Sequence, residues 1–502
     1  MVPPRRGKVY TKASQLRGRR RAVAAGDHAV ERLSGIDAAF LYMETSVQHM
    51  HVVGVTIIDP STIVGGYDFA AARVDFARRL TAMPAFRRRL VGFPLGLDHS
   101  VWVDGRVDLD YHVHRAALPC PGDRGILADF VGDYAGRPLD RSRPLWECCF
   151  VEGLEGGCIA MLLKVHHAII DGVSGAQVME RLYDLDPQAG AAAQAGGDQE
   201  AFERIEAEPS LLDLALVSLR ARVGDPLRAV SLAARTLVSL AGQVAAAITE
   251  PDSGDRATLP VAAPATPFSH ALTSRRAVAF SRAELGDLRI AKKAFGVTIN
   301  DLVLAACTSA LRRDLMRRGA LPDRPLVASV PVSTRQAGEA AASFNRVSAM
   351  FVSLPVQIED PIEQLRAVRA DAVAGKKMVG AFGRELLGEV VELLPPLLFA
   401  QAMSLYSRLR LAESHAPVHN LVVSNVPGPR VPMYAAGAKV LAVYPLGPIL
   451  ECAALNVSLF SYQDGVDIGV VTCPDLVPDV QALADGIATA IAELARLAAS
   501  AA

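Results

Sequence analysis

Two adjacent histidines, His166 and His167, are the residues of this sequence best suited to chemistry. They close the apolar run 158–165 and are followed by Asp171 and Gly172, in the order HHAIIDG. An imidazole titrates near neutral pH, so it can take a proton from a hydroxyl group. Neighbouring side chains on a strand point to opposite faces, so both histidines can face one cavity only if the strand has ended. We therefore expect one histidine to act as a base and the other to pack.

A predicted hairpin and helix position these histidines. The segments 145–151 and 158–165 are short and apolar and flank the Gly-rich turn 152–157, which predicts two buried strands. Downstream, Ser174 and Gln177 have the spacing of a capping box that opens a helix. The histidines should thus lie between the end of a strand and the start of a helix.

Asp171 has two interpretations. Its carboxylate could orient a histidine or balance its charge, or it could hold the turn by accepting hydrogen bonds from backbone amides. Gly172 suits such a turn because glycine readily takes a positive φ. The residues alone favour the structural role for Asp171 and leave the other open.

Composition and spacing weigh against several classes of function. The formal net charge of −1 over 502 residues gives no sign of a nucleic-acid partner. Seven cysteines without CxxC spacing are typical of reduced thiols. His49 and His51 would share a strand face, but no third ligand is placed nearby, so we expect packing or surface roles and no metal. Residues 172–175 lack the GxSxG spacing of a nucleophile elbow, and no cysteine lies in a nucleophile motif.

Five ordered blocks of the sequence resemble the bacterial wax ester synthase/diacylglycerol acyltransferase family. HHxxxDG alone is shared with the wider superfamily of acyl-CoA-dependent acyltransferases, which includes peptide-synthetase condensation domains. The other four blocks are LSGIDAAF at 33–40, RPLWE at 143–147, VTIND at 297–301 and SNVPGP at 424–429. The resemblance runs from about residue 31 to about residue 476 and is poor between about 187 and 267.

The expected fold class is α/β, because strand and helix patterns alternate in both halves. The resemblance implies two chloramphenicol-acetyltransferase-like subdomains with mixed sheets and packed helices, joined by a helical crossover, with an active-site tunnel at their interface. Composition places a basic arm at 1–30, a first subdomain at 31–186, a linker and crossover at 187–267 and a second subdomain at 268–502. The predicted strands include 51–58, 99–103, 109–114, 277–280, 326–333, 346–356, 420–425, 455–461 and 466–471, and the predicted helices include 68–80, 125–134, 287–294 and 302–313.

The resemblance also implies an activity. Such enzymes transfer an acyl group from long-chain acyl-CoA, a substrate rather than a cofactor, to diacylglycerol or to a long-chain alcohol; we favour diacylglycerol. A thioester is already activated, so the protein need only align the alcohol and remove its proton. The family assigns that base to His167, with His166 packing against or orienting it.

The same blocks supply residues expected near the site. Pro144, Leu145 and Trp146 are interpreted as structural, with Trp146 as a core anchor. Asn300 and Asp301 have the chemistry of a helix cap in a block that lies close to the channel in the family. The candidates for oxyanion binding or substrate contact are Asn300, Ser424 and Asn425.

Two other functions remain open at this level. One is a polyketide-associated or condensation-type acyltransferase, which would need a carrier-protein partner. The other is a noncatalytic lipid-binding or lipid-droplet protein with the same fold. Hydrolysis by a metal bound at HHxxxD lacks enough ligands in the sequence.

Two segments bear on location. Residues 1–25 carry eight Lys or Arg, no acidic residue and no apolar h-region, so we do not expect a secretory signal. A solvated tail, a contact with anionic lipid and a misassigned start are all consistent with this composition.

Residues 382–411 are broadly apolar, but Pro395 and Pro396 interrupt them, so they should not span a bilayer. Core packing or an interfacial patch flanked by Arg384, Arg408 and Arg410 would explain them. We expect a cytoplasmic protein in peripheral contact with the inner membrane face or lipid droplets.

Overall fold

The computed structural model describes residues 23–25, 28–93, 96, 98–170, 175–188, 209, 210, 213, 214, 216, 263–333, 347–381 and 396–500. The strands are β1 (Val23–Ala25), β2 (His28–Arg32), β3 (His51–Asp59), β4 (Arg88–Val91), β5 (Val101–Asp104), β6 (Val113–Ala117), β7 (Trp146–Glu152), β8 (Ile159–His166), β9 (Ala277–Glu284), β10 (Leu326–Ser333), β11 (Val347–Leu354), β12 (Leu421–Pro427), β13 (Tyr434–Ala435), β14 (Ala438–Leu446), β15 (Leu455–Tyr462) and β16 (Gly465–Thr472). The helices are α1 (Gly35–Met43), α2 (Phe69–Thr81), α3 (Leu109–His112), α4 (Arg124–Ala135), α5 (His167–Ile170), α6 (Gly175–Leu182), α7 (Leu285–Phe295), α8 (Ile299–Arg317), α9 (Pro361–Ala381), α10 (Pro396–Arg408) and α11 (Val480–Ser500).

Four strands of the first half and two of the second form a six-stranded sheet, the first sheet, in the order β13-β14-β3-β8-β7-β6. β7 and β8 pair antiparallel, which confirms the predicted hairpin, and β3 pairs antiparallel with β8 on its other side. Side chains alternate as a two-faced strand requires. On β7, Trp146, Cys148 and Phe150 pack with α2, whereas Cys149 and Val151 pack with α4.

The second half forms a mixed six-stranded sheet, the second sheet, in the order β11-β10-β12-β15-β16-β9. β12 pairs parallel with both β10 and β15, and the remaining pairs are antiparallel, including the predicted β15–β16 hairpin. α8 begins as predicted: the Thr298 hydroxyl accepts from the Asp301 N–H while the Asp301 carboxylate accepts from the Thr298 N–H. A smaller sheet has the order β1-β2-β5-β4.

Two strands of the second half, β13 and β14, join the first sheet. β14 comes from the part of the chain assigned to the second subdomain, yet it pairs antiparallel with β3 in the first sheet. β13 pairs with β14 at the edge of that sheet. A hydrogen bond of 2.8 Å from the Val443 N–H to Asp467 Oδ2 ties β14 to β16. The β14–β16 contact is so close that a Cβ on Gly469 would lie 2.3 Å from the Pro445 oxygen.

The predicted strand at 109–114 is wrong in its first part. The segment begins as the short helix α3, because the Asp108 side chain accepts from the Asp110 N–H and starts a turn. It becomes extended only from Val113, where β6 pairs parallel with β7. The other strands and helices predicted in the described ranges are found, with ends shifted by a few residues. Elements that were not predicted include β1, β2, β4, β13, β14, α9, α10 and α11.

Several predicted features lie outside the described residues, namely Asp171, Gly172, the Ser174 cap, residues 1–22 of the basic arm, Arg384 and most of the 187–267 crossover. Among the helices that are described, none alone is long and apolar enough to cross a membrane. The pair α7 and α8 passes the same test together, by length and composition only, with a bend of 105° between its members.

Candidate active site

The histidine pair lies where β8 ends and α5 begins, as predicted. His166 is the last residue of β8, and its N–H donates to the Leu145 oxygen at 3.0 Å. His167 is the first residue of α5, and its N–H donates to the Met50 oxygen at 2.8 Å. Both backbones are therefore anchored to neighbouring segments, one on each side of β8.

The two imidazoles have different environments. His166 is 1% exposed, whereas His167 is only partly buried. The His167 ring stacks on Phe40 of α1, with ring centroids 4.1 Å apart and planes inclined by 27°. Of the pair, His167 is thus the residue whose side chain a substrate could reach, and Phe40 limits its rotation.

The hydrogen bonds of His166 define which nitrogen carries its proton. Nδ1 accepts from the Ala168 N–H at 3.1 Å, so the neutral ring holds its proton on Nε2. Nε2 lies 3.7 Å from Oε2 of Glu44, longer than a hydrogen bond but close enough for a strong electrostatic interaction. Burial lowers the pKa of His166, against the opposing effect of Glu44, so this imidazole is neutral near pH 7.

Glu44 and Arg141 complete the surroundings of the pair. Glu44 Oε2 accepts from Arg141 Nη2 at 2.6 Å and from Nε at 3.1 Å. Burial would raise the pKa of Glu44, but His166 and Arg141 together hold it well below its usual range. Sequence reasoning missed both residues, because they are 97 positions apart and neither belongs to a local pattern of chemistry.

The RPLWE block packs beside the histidine pair and anchors the backbone of His166. Trp146 is fully buried, its Nε1–H donates to the Phe86 oxygen at 2.8 Å, and its ring stacks on His112 with centroids 4.5 Å apart. Pro144 and Leu145 are buried beside it, and Leu145 supplies the oxygen that holds the His166 backbone. The expected role of Trp146 as a core anchor is confirmed.

His49 and His51 pack beside the site. Their rings stack 5.6 Å apart, and each Nε2 lies within hydrogen-bond distance of a backbone oxygen, that of Gly136 or Ala135. Burial lowers the pKa of His49 to about 4 and that of His51 well below its usual value. The packing role expected for them agrees with these contacts. In the described ranges, no group of three or more His, Cys, Asp or Glu is arranged to hold a metal ion.

The two remaining blocks lie on the second half. Asn300 is in the first turn of α8, and the buried carboxylate of Asp301 is engaged in the capping box. Ser424 and Asn425 are partly buried residues of β12. Their contact with substrate stays a prediction, as do the roles of Asp171 and Gly172, which lie outside the described part of the chain.

Gly428 explains part of the SNVPGP block in structural terms. A Cβ at this position would lie 2.3 Å from the Ser461 oxygen and 2.4 Å from Cζ of Phe460. Because no side chain fits there, glycine is what lets the end of β12 pass against β15.

Known proteins of one family match this chain over most of its length. Residues 33–303 match the wax ester synthase/diacylglycerol acyltransferase catalytic domain, and residues 344–495 match the C-terminal domain of the same family. A Mycobacterium tuberculosis protein named a putative diacylglycerol O-acyltransferase is 37% identical over 474 residues, which cover 94% of this chain and 91% of that one. A Mycobacterium bovis protein with the same designation is 35% identical over 469 residues, covering 91% and 97%.

Solved structures give the same result. The wax ester synthase/diacylglycerol acyltransferase of Marinobacter aquaeolei VT8 superposes with a TM-score of 0.64 at 28% identity, over 93% of this chain and all of that chain. The first condensation domain of the calcium-dependent antibiotic synthetase superposes with a TM-score of 0.53 at 17% identity, over 93% and 96%, which shows a common fold. The chain therefore belongs to the wax ester synthase/diacylglycerol acyltransferase family.

Proposed function

We propose that this acyltransferase moves the acyl group of a long-chain acyl-CoA directly to the hydroxyl of diacylglycerol, and also to that of a long-chain alcohol, with His167 as general base. The names of its relatives support diacylglycerol as acceptor. The wax ester synthase designation of the Marinobacter structure supports the second acceptor.

The step balances without a cofactor. His167 takes the proton of the acceptor hydroxyl as its oxygen attacks the thioester carbonyl, and a tetrahedral oxyanion forms. Collapse of this intermediate breaks the C–S bond. The CoA thiolate then takes the proton from His167, which leaves an ester, free CoA and a neutral imidazole.

The observation that carries the assignment is the contrast between the two histidines. His166 is enclosed and its Nδ1 already accepts a backbone hydrogen bond. His167 is only partly buried as a residue, although its Nδ1 is enclosed, and Phe40 stacks on one face of its ring. Only a side chain that substrate can reach satisfies the geometric requirement on a general base.

The test supplies radiolabelled palmitoyl-CoA with dioleoylglycerol or hexadecanol and measures labelled neutral lipid and released thiol. His167→Ala should lower kcat/KM by roughly 100- to 10,000-fold, the range typical for loss of a general base. A matched control is His114→Ala, which removes a partly buried histidine of β6 at the far edge of the same sheet and should retain activity. Undiminished product from His167→Ala would refute the base assignment. Tight lipid binding by the wild type without product from either acceptor would favour a noncatalytic binding protein.

We also propose that α10 contacts a lipid surface. Its inner face packs on α1 beside the histidines: Phe399 meets Tyr42 edge to face, and the Ser407 and Thr45 hydroxyls are 3.5 Å apart. Its outer face carries apolar residues at helical spacing, Leu398, Ala402, Leu405 and Leu409, of which the leucines are 61%, 56% and 59% exposed. The exposed Arg408 lies between Leu405 and Leu409 in the sequence and suits anionic head groups, whereas Arg410 is paired with Glu413.

This surface is tested by flotation with vesicles of phosphatidylcholine and phosphatidylglycerol. Replacing the three leucines should weaken binding roughly tenfold or more and leave turnover of detergent-dispersed diacylglycerol intact; the variant is Leu398→Glu/Leu405→Glu/Leu409→Glu. The control variant changes three other residues that are 46%, 50% and 54% exposed, Val74→Glu/Ile290→Glu/Met316→Glu. Equal flotation of the wild type and the leucine variant would contradict the proposal. The proposal would also be contradicted if the wild type forms a dimer and the leucine variant is monomeric, because the exposed leucines would then be a protein interface.

A further inference from the structure

Glu44 forms the centre of a small charged network at the C-terminal end of α1. Its side chain is only 8% exposed. Oε1 accepts the Met50 N–H at 3.2 Å, and Oε2 accepts the two hydrogen bonds from Arg141. The same Oε2 faces the Nε2–H of His166 at 3.7 Å. A carboxylate this enclosed is stable as an anion only because these donors surround it.

The network reaches the backbone of His167 through one intermediate residue. Glu44 fixes the N–H of Met50, and the carbonyl of the same Met50 accepts the His167 N–H at 2.8 Å. Met50 is itself buried, so this connection has little freedom to adjust. Loss of the carboxylate would therefore loosen the segment around Met50, to which the backbone of His167 is hydrogen-bonded.

The network also reaches the ring of His167 from α1. Arg141 Nη2 donates to the Leu41 oxygen at 2.7 Å in addition to its bonds with Glu44. This bond fixes the last turn of α1, which carries Phe40, the residue stacked on the His167 ring. Arg141 and Glu44 thus constrain the imidazole from its backbone side and from its face.

We propose that Glu44 and Arg141 are a positioning pair that holds the His167 imidazole in place for proton transfer. This inference rests on the proposed function, since it concerns the base named there. Glu44 acts through Met50 on the backbone of His167, and Arg141 acts through the last turn of α1 on its ring.

Other ionisable groups face the same region and remain constant in the test. His49 and His51 approach from β3, Lys164 from β8, and Arg276 lies within electrostatic range of His49. Burial lowers the pKa of both histidines and of Lys164. The histidines are therefore neutral around pH 7, and Lys164 is paired with Glu147, whose Oε2 lies 3.0 Å from its Nζ.

The experiment compares kcat and KM of the full-length enzyme with palmitoyl-CoA and dioleoylglycerol. Glu44→Gln should lower kcat/KM by roughly 10- to 100-fold, as expected for loss of a charged hydrogen-bond partner, with little change in KM for palmitoyl-CoA. Arg141→Met should lose activity in the same way.

The separate values of kcat and KM distinguish positioning from loss of structure, because a misplaced base lowers kcat while palmitoyl-CoA still binds. A rise in KM that accounts for the whole loss of kcat/KM, or wild-type kinetics in Glu44→Gln, would overturn the inference. Glu44→Asp and Arg141→Lys keep the charges and should recover part of kcat, which covers the case of an unfolded neutral variant. The matched control is Glu152→Gln, which removes the two-bond ion pair with Arg115 at the edge of the same sheet and should behave as wild type.

The outcome for His167→Ala separates this inference from the proposed function. If that variant is active, the general-base assignment fails and the pair has no base to position. If it is inactive while Glu44→Gln and Arg141→Met match the wild type, the proposed function stands and only the positioning role is refuted.

Discussion

Replacing Trp146 with phenylalanine tests whether the RPLWE block supports the histidines through packing. The indole Nε1–H donates to the oxygen of Phe86, a residue with no exposed surface. Removing the donor leaves that carbonyl unsatisfied, at a cost of about 1–3 kcal/mol. The smaller ring also loses apolar contact equivalent to about two methylene groups, about 1.5 kcal/mol. Trp146→Phe should therefore destabilise the protein by about 2.5–4.5 kcal/mol.

The assay is guanidinium unfolding followed by far-ultraviolet circular dichroism, with Trp102→Phe as a matched control. Trp102, the other tryptophan, is 8% exposed and lies in the same apolar cluster. Its replacement should cost mainly the apolar term, about 1–2 kcal/mol. Because Leu145 beside Trp146 holds the His166 backbone, kcat/KM should fall in Trp146→Phe well below the control. Equal loss of stability in the two variants would refute the contribution assigned to the indole hydrogen bond.

Two further predictions concern the second half. Gly428→Ala places a Cβ 2.3 Å from the Ser461 oxygen and should lower the unfolding free energy by about 1–3 kcal/mol, measured by the same denaturation; unchanged stability would contradict the crowding at the end of β12. Burial raises the pKa of Asp467 to about 6, against its partners Val443 and Arg282, so this group favours the folded state below pH 4 and that contribution is lost as the pH rises through 6. The effect amounts to at most about 3 kcal/mol. Asp467→Asn should flatten the dependence of unfolding free energy on pH between 4 and 7, and an unaltered pH dependence in this variant would contradict the shift.

Local patterns predicted the elements that carry the motif. The hairpin of β7 and β8 follows from two apolar runs around a glycine-rich turn, and α8 begins at the Thr298–Asp301 capping box that its sequence contains. The strand predicted at 109–114 is wrong in its first part for an equally local reason, because Asp108 caps a helical turn before the strand begins. Such features depend on residues a few positions apart, which is why sequence alone reveals them.

What sequence missed depends on distant pairing. Glu44 and Arg141 meet through folding alone, and nothing in either local segment indicates a buried ion pair. The sequence of β14 is that of an ordinary apolar strand in the second half, yet the strand pairs with β3 of the first half. The choice of His167 over His166 came from the family resemblance, since a sequence period of two distinguishes the two faces of a strand but does not say which face is open.

The crossing of β14 has a consequence for synthesis of the chain. During translation, β3 is made early, but the strand that covers its free edge ends at Leu446 in a chain of 502 residues. Nascent chains must therefore shield an open edge until most of the protein has left the ribosome, a period in which edge-to-edge aggregation competes with folding. Premature termination before residue 434 would leave that edge permanently uncovered, so we expect such fragments to be insoluble or degraded even though they contain the histidine pair.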